Sequence, residues 1–198
     1  DEQRDAFAPI TELIHSQGGK ASIQLAHAGR KASTWLEWPG SPNGNVPADQ
    51  GGWQPVGPSA ISFPGLMEPT PLSREGIDGV VAAFAAAARR ALEVGFDAVE
   101  NNGAHGYLVH EFLSPASNHR DDEYGGTLEN RARLLLRIVD AVREEVGEKV
   151  PVIVRLSGTE WSEEGYASED IVRVTRWLGE RGVDMISVST GGNLSGVK

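Results

Sequence analysis

The sequence predicts an α/β fold built on a parallel sheet. Three observations carry this expectation. Stretches with apolar residues at helical spacing alternate with short apolar runs along the 198 residues, the pattern of successive βα units. Glycines stand where the first two helical periods stop, at Gly18-Gly19 and Gly95. Each apolar run opens into polar or Gly-rich sequence, and in parallel α/β architectures the carboxyl ends of the strands form the functional face.

Ala6 to His15 carries Phe7, Ile10, Leu13 and Ile14 at helical spacing. Ala21 to His27 then reads as a short buried strand. From Ala28 to Leu72 the chain is rich in Gly, Pro, Ser, Asn and Trp, too long for an ordinary connection, and it is expected to be an elaborated functional loop (28–72). Ser73 opens a helix whose Val80, Val81, Phe84, Ala87, Ala88 and Leu92 keep helical spacing up to Gly95. Phe96 to Glu100 is the next strand. The pattern repeats with a helix from Thr127 to Val146, a strand from Val150 to Leu156, a helix from Ser168 to Arg181 and a strand from Val183 to Ser189.

Four strands alternating with helices fit an eight-stranded β/α barrel or a doubly wound sheet. A barrel needs about 250 residues, so residues 1–198 would be the central part of one such domain. The sequence opens on a helix and closes soon after a strand, as the middle of a larger fold would.

Composition narrows the class. Hydrophobic residues make up 39% and charged residues 23%, ordinary for a globular domain. The net charge of -10 opposes association with nucleic acid or an anionic membrane. The absence of cysteine excludes disulfides and thiolate metal sites and fits a reducing compartment. Nothing in the sequence reads as a signal peptide or a membrane span, and a cytoplasmic location is expected.

The chemistry is concentrated after the strands. Gln24 and His27 alternate with apolar neighbours, and a buried amide needs a polar partner; either backbone groups or the edge of a heteroaromatic cofactor would serve. Arg30-Lys31 reads as solvated loop. Asn102 and His105 are separated by Gly103-Ala104, small residues that let two neutral donors approach one oxygen and stabilise charge developing on it. Tyr107, two residues on, is a phenol suited to protonating a strongly basic carbon. Taken singly, each also reads as a capping, core or packing residue. His105, His110 and Glu111 lack the spacing of a zinc helix, so no metal is expected. Arg155 ends an apolar strand and needs an anionic partner, either a carboxylate such as Glu100 or a cofactor. Arg120, Asp121, Asp122, Tyr124, Glu129, Arg131 and Arg133 read as structural.

Three segments together resemble one family. Gln-Leu-Ala-His-Ala-Gly-Arg-Lys from Gln24, Gly-Ala-His-Gly-Tyr-Leu from Gly103, and Ser-Asn-His-Arg-Asp-Asp-Glu-Tyr-Gly-Gly-Thr-Leu-Glu-Asn-Arg from Ser117 resemble the Old Yellow Enzyme family of FMN-dependent ene-reductases, within it the subgroup of xenobiotic reductases and thermostable ene-reductases. The resemblance implies a (β/α)8 TIM barrel, of which this chain covers about four central strands. It also implies FMN at the carboxyl face, NAD(P)H as reductant and an activated alkene as substrate. By the same resemblance Gln24 and Arg155 meet the flavin, Asn102 and His105 grip the substrate oxygen, and Tyr107 protonates the α-carbon.

The family usually has His where Asn102 stands, and an apolar residue where Asn101 stands. Half a barrel would leave sheet edges and apolar helix faces open, so self-association or completion by further barrel segments is expected, with weak FMN binding by this piece alone. A dienoyl-CoA reductase-like flavoenzyme and a non-catalytic barrel scaffold are the alternatives.

Overall fold

The computed structural model describes residues 2–36 and 38–196. Helix α1 (Glu2–Ser16) leads into strand β1 (Ser22–Leu25), and the long loop holds two single-turn 3-10 helices (Gly29–Lys31 and Ala48–Gln50) and two short strands, β2 (Val56–Gly57) and β3 (Thr70–Pro71). Then follow α2 (Arg74–Glu93), β4 (Ala98–Gly103), a short α3 (Leu108–Leu113), α4 (Leu128–Val146), β5 (Val152–Ser157), α5 (Ser168–Gly179) and β6 (Met185–Ser189). Ser73 caps α2 by accepting the Gly76 N–H at 3.1 Å, and Thr127 caps α4 in the same way through Asn130.

The main sheet is parallel with strand order β1-β4-β5-β6. Each new strand is added on the same side as the last. A doubly wound sheet reverses direction at a switch point and carries helices on both faces. Here the succession is unbroken and the helices share one face, which is the winding of a β/α barrel. That face is the core: Val99, Val152, Val154 and Leu156 pack under Ile77, Val81 and Phe84 of α2, Leu134, Ile138 and Val142 of α4, and Val174 and Leu178 of α5.

Strand register sorts the side chains. Gln24 pairs with Glu100, and Asn102 pairs with Arg155, which pairs with Ser187. Because residues in register on parallel strands point to one side, these polar groups share the face opposite the helices. That face is mixed, since Ile153 and Met185 share it at the level of Glu100, and its polar residues gather toward the carboxyl ends of the strands.

Some boundaries differ from expectation. Strand β4 runs on through Asn101, Asn102 and Gly103, because ladder bonds to β5 override the low strand propensity of asparagine. The apolar residues Phe7, Ile10 and Leu13 of α1 are exposed, while Thr11 is the buried residue of that helix. Strands β1 and β6 are the sheet edges, and Val188 of β6 is 67% exposed.

Asn101 points into the core side of the sheet. It is 1% exposed, and neither its Nδ2 nor its Oδ1 has a hydrogen-bond partner among the described residues. An amide desolvated without compensation costs ~1–3 kcal/mol. Asn101→Leu, close in shape and apolar, is expected to raise stability by about that amount, read as a higher midpoint in urea denaturation; an unchanged or lower midpoint would contradict the assignment.

Candidate active site

The polar face carries Gln24, Asn102 and Arg155, while His105 and Tyr107 stand in the turn between β4 and α3. Gln24 donates from Nε2 to Glu100 at 2.6 Å and accepts at Oε1 from Asn102 Nδ2 at 3.0 Å. Its partners are thus side chains of the neighbouring strand rather than backbone groups. Asn102 is buried, and its Oδ1 accepts the Ala104 N–H at 2.8 Å. That bond fixes the amide orientation, so the Asn102 nitrogen is the end turned toward the polar face.

Arg155 forms no hydrogen bond or ion pair with any described residue, and its Nε is buried without a partner. The ion pair with Glu100, one of the two sequence readings, is absent: Glu100 is engaged by Gln24. A guanidinium cannot shed its charge, and this one has donors that no described residue takes up.

His105 sits in the left-handed region at φ 62, where non-glycine residues are uncommon. Its Nε2 lies 2.7 Å from Ser189 Oγ at the end of β6. Burial lowers its pKa, and the charge of Arg155 adds to the effect, as do His110 and Lys31. Tyr107 lies just before α3, and its hydroxyl bonds to none of the described residues. The phenol lines a cleft of ≈ 790 Å³ whose opposite wall is the long loop, with Trp35, Trp38, Phe63 and Leu66.

Beneath the His105 turn lies a buried polar network that sequence reasoning missed. His110 accepts the Gly106 N–H at Nδ1 (2.9 Å), which leaves its Nε2 to donate to Tyr166 Oη (2.8 Å), and Tyr166 donates to the Ser157 carbonyl (2.7 Å). Glu160 accepts from Ser114, from the Tyr166 N–H and from Asn193. Burial pushes the Glu160 carboxyl up, but the His110 contact and these bonds outweigh it and hold the group below its ordinary value.

Arg30 corrects the reading of a solvated loop: it is 3% exposed and donates to the carbonyls of Ile61 and Asn193. Lys31 donates to the carbonyls of His105 (3.0 Å) and Gly192. His110 and Glu111 face separate partners, and no group of three or more His, Cys, Asp or Glu among the described residues is arranged to hold a metal ion. Arg120 forms a two-pronged pair with Asp122 and donates to the Pro58 and Leu72 carbonyls, tying its loop to the long insertion. Arg131 likewise serves structure, donating to the Leu113 carbonyl.

The only signal for the hidden network was position. Ser157 ends β5 and Asn193 follows shortly after β6. No helix among the described residues is long and apolar enough to cross a membrane.

A sequence model of the NADH:flavin oxidoreductase / NADH oxidase family matches residues 1–195, and the chain belongs to that family. It is 43% identical over 206 residues to an NADH:flavin oxidoreductase of Gibberella zeae, covering 97% of this chain and 50% of that protein. It is 44% identical over 192 residues to an NADPH dehydrogenase of Bacillus subtilis, covering 96% of this chain and 51% of the relative. Among solved structures, the old yellow enzyme homologue from Zymomonas mobilis superposes with a TM-score of 0.80 at 32% identity, over 95% of this chain and 52% of that one. The chain thus spans about half the length of these relatives, and its sheet is four consecutive strands of a β/α barrel.

Glu111 supplies a stability prediction. Its carboxyl is fully buried, takes one bond from the Arg30 N–H at 2.9 Å and leaves Oε2 without a partner. Burial pushes its pKa up from 4.5 to about 8, against the opposing pull of Arg30 and Lys31. The folded chain then holds a proton that the unfolded chain releases, so stability is full below about pH 4.5 and falls as pH rises through about 8. The slope is at most ~1.4 kcal/mol per pH unit. Glu111→Gln should flatten this decline and gain most at alkaline pH; an unchanged pH profile of the unfolding midpoint would refute the buried neutral acid.

Proposed function

We propose that this chain is the central part of an FMN-dependent oxidoreductase that reduces activated C=C bonds, such as those of enones and nitroalkenes, with NAD(P)H as reductant. The observation that carries the reading is the Arg155 guanidinium, without a partner among the described residues, on the same open face as Gln24 and Asn102. A half-buried cation without an ion-pair partner among the described residues fits a cofactor that becomes electron-rich. Gln24 keeps one amide N–H and one lone pair beyond its two protein bonds, which fits the donor and acceptor edge of a flavin. When bound, FMN supplies hydride transfer from NAD(P)H to the β-carbon of the alkene.

The residues of the chain then have distinct tasks. Asn102, its carbonyl tied to the Ala104 N–H and one amide proton given to Gln24, offers its second amide proton to the carbonyl or nitro oxygen of the substrate. His105 offers a ring N–H to the same oxygen, and two neutral donors there stabilise the charge that hydride addition pushes onto it. Tyr107 gives its phenolic proton to the α-carbon. The cleft between Tyr107 and the loop aromatics suits an apolar substrate body.

The exposed edges of β1 and β6, with apolar Phe7, Ile10, Leu13 and Val188 in the open, support completion by further barrel strands in the whole protein. A cytoplasmic setting agrees with the absence of cysteine.

Tyr107→Phe in the complete protein tests the proposal. Loss of a positioned general acid should slow reoxidation of the reduced protein by 2-cyclohexenone by ~10²–10⁴-fold, while reduction by NADPH keeps its rate. Equal reoxidation rates in the two proteins would sink the role of Tyr107.

A further inference from the structure

We infer that Ser189 is a positioning residue that holds His105 in the tautomer with its ring proton on Nδ1, so that the Nδ1–H is the donor offered to the substrate oxygen. The inference rests on the function proposed above and assigns the atom and the residue that sets it.

His105 has little freedom to choose its own orientation. Its left-handed backbone is held at each polar group by a side chain from a different part of the fold. Its N–H donates to Ser157 Oγ at the end of β5 (3.2 Å), its carbonyl accepts from Lys31 Nζ after β1 (3.0 Å), and the next N–H, of Gly106, donates to His110 Nδ1 in α3 (2.9 Å). Ser157 in turn donates to the Gly191 carbonyl at 2.9 Å. The turn also packs against glycine backbone, since a Cβ on Gly192 would stand 2.6 Å from His105 Cα. A strained conformation persists where its surroundings over-determine it, and the imidazole is thereby launched from one fixed point.

Ser189 decides which nitrogen is free. It pairs with Ser157 in the β5–β6 register and so shares the polar face. Its Oγ lies 2.7 Å from His105 Nε2, whereas its other acceptor, the Leu156 carbonyl, is 3.5 Å away. A hydroxyl has one proton, and the shorter contact claims it. With Nε2 accepting, the ring proton of a neutral imidazole resides on Nδ1, which bonds to none of the described residues.

The charges around the ring agree with neutrality. Burial and the cations Arg155 and Lys31, with His110, disfavour the imidazolium, and only Glu100 favours it. In the opposite tautomer a lone pair on Nδ1 would face the oxygen on which charge develops. The serine hydroxyl therefore separates a donor from a repelling acceptor at that position, and the site presents two neutral donors, one from Asn102 and one from His105.

The test is ¹⁵N NMR of the complete protein with ring-labelled histidine, His105 being assigned by the signals lost in His105→Gln. A protonated-type shift at Nδ1 and an unprotonated-type shift at Nε2 are expected at neutral and alkaline pH. Ser189→Ala should let the ring exchange between tautomers and weaken binding of 4-nitrophenolate, used as the oxyanion probe, by ~3–10-fold, the worth of one hydrogen bond. Ser189→Thr, which keeps the hydroxyl, should restore both readouts. A proton on Nε2 in the unmodified protein would overturn the inference, as would unaltered shifts and affinity in Ser189→Ala. The nitrogen shifts are read without turnover, so they separate this inference from the activity on which it rests.

Discussion

The register of four parallel strands is the constraint on which the rest depends. Ser22 against Ala98, Val99 against Val152 and Ile153 against Met185 set a parity that every side chain inherits. One parity sends Leu25, Val99, Val154 and Leu156 under the helices. The other sends Gln24, Glu100, Asn102, Arg155 and Ser187 to the open face. A slip of one residue in any strand would exchange the two sets, burying a guanidinium and exposing valine. The apolar core thus enforces the polar site, and the energetic preference of one side for burial fixes the composition of the other.

A second layer holds the site from beneath. His110, Tyr166, Glu160 and Asn193 are buried, and a buried polar group is tolerable only when partnered. Bonds of that layer reach the carboxyl ends of three strands: Gly106 after β4, Ser157 at the end of β5, Asn193 after β6. Arg30, reaching from the loop after β1 to Asn193, closes the set. Four carboxyl ends of strands are thereby tied to one another without occupying the open face, where Arg155 and the His105 ring remain available.

Much of this was legible in the sequence, for local reasons. Helices α2, α4 and α5 show their periods, and two of them show side-chain caps, within a few residues. Gln24, Asn102, His105, Tyr107 and Arg155 stood out because polar groups at strand ends are rarely there for packing. Helix α3 escaped because six residues carry too little period to be seen. Arg30 was misread because its burial depends on the carbonyls of Ile61 and Asn193, distant along the chain. The contact of Ser189 with His105 spans 84 positions and is a property of the assembled sheet, which no local pattern encodes. Asn101, where an apolar residue was expected, has no polar partner that explains it.

The account stands on the claim that the open polar face receives a flavin which passes hydride to an alkene. The direct measurement is a visible absorption spectrum of the complete protein with FMN, recorded anaerobically, then after NADPH, then after 2-cyclohexenone. The account predicts protein-bound flavin that is bleached by NADPH and regains its colour on addition of the enone. Flavin that stays unbound, or that is bleached and not restored by the enone, would contradict it.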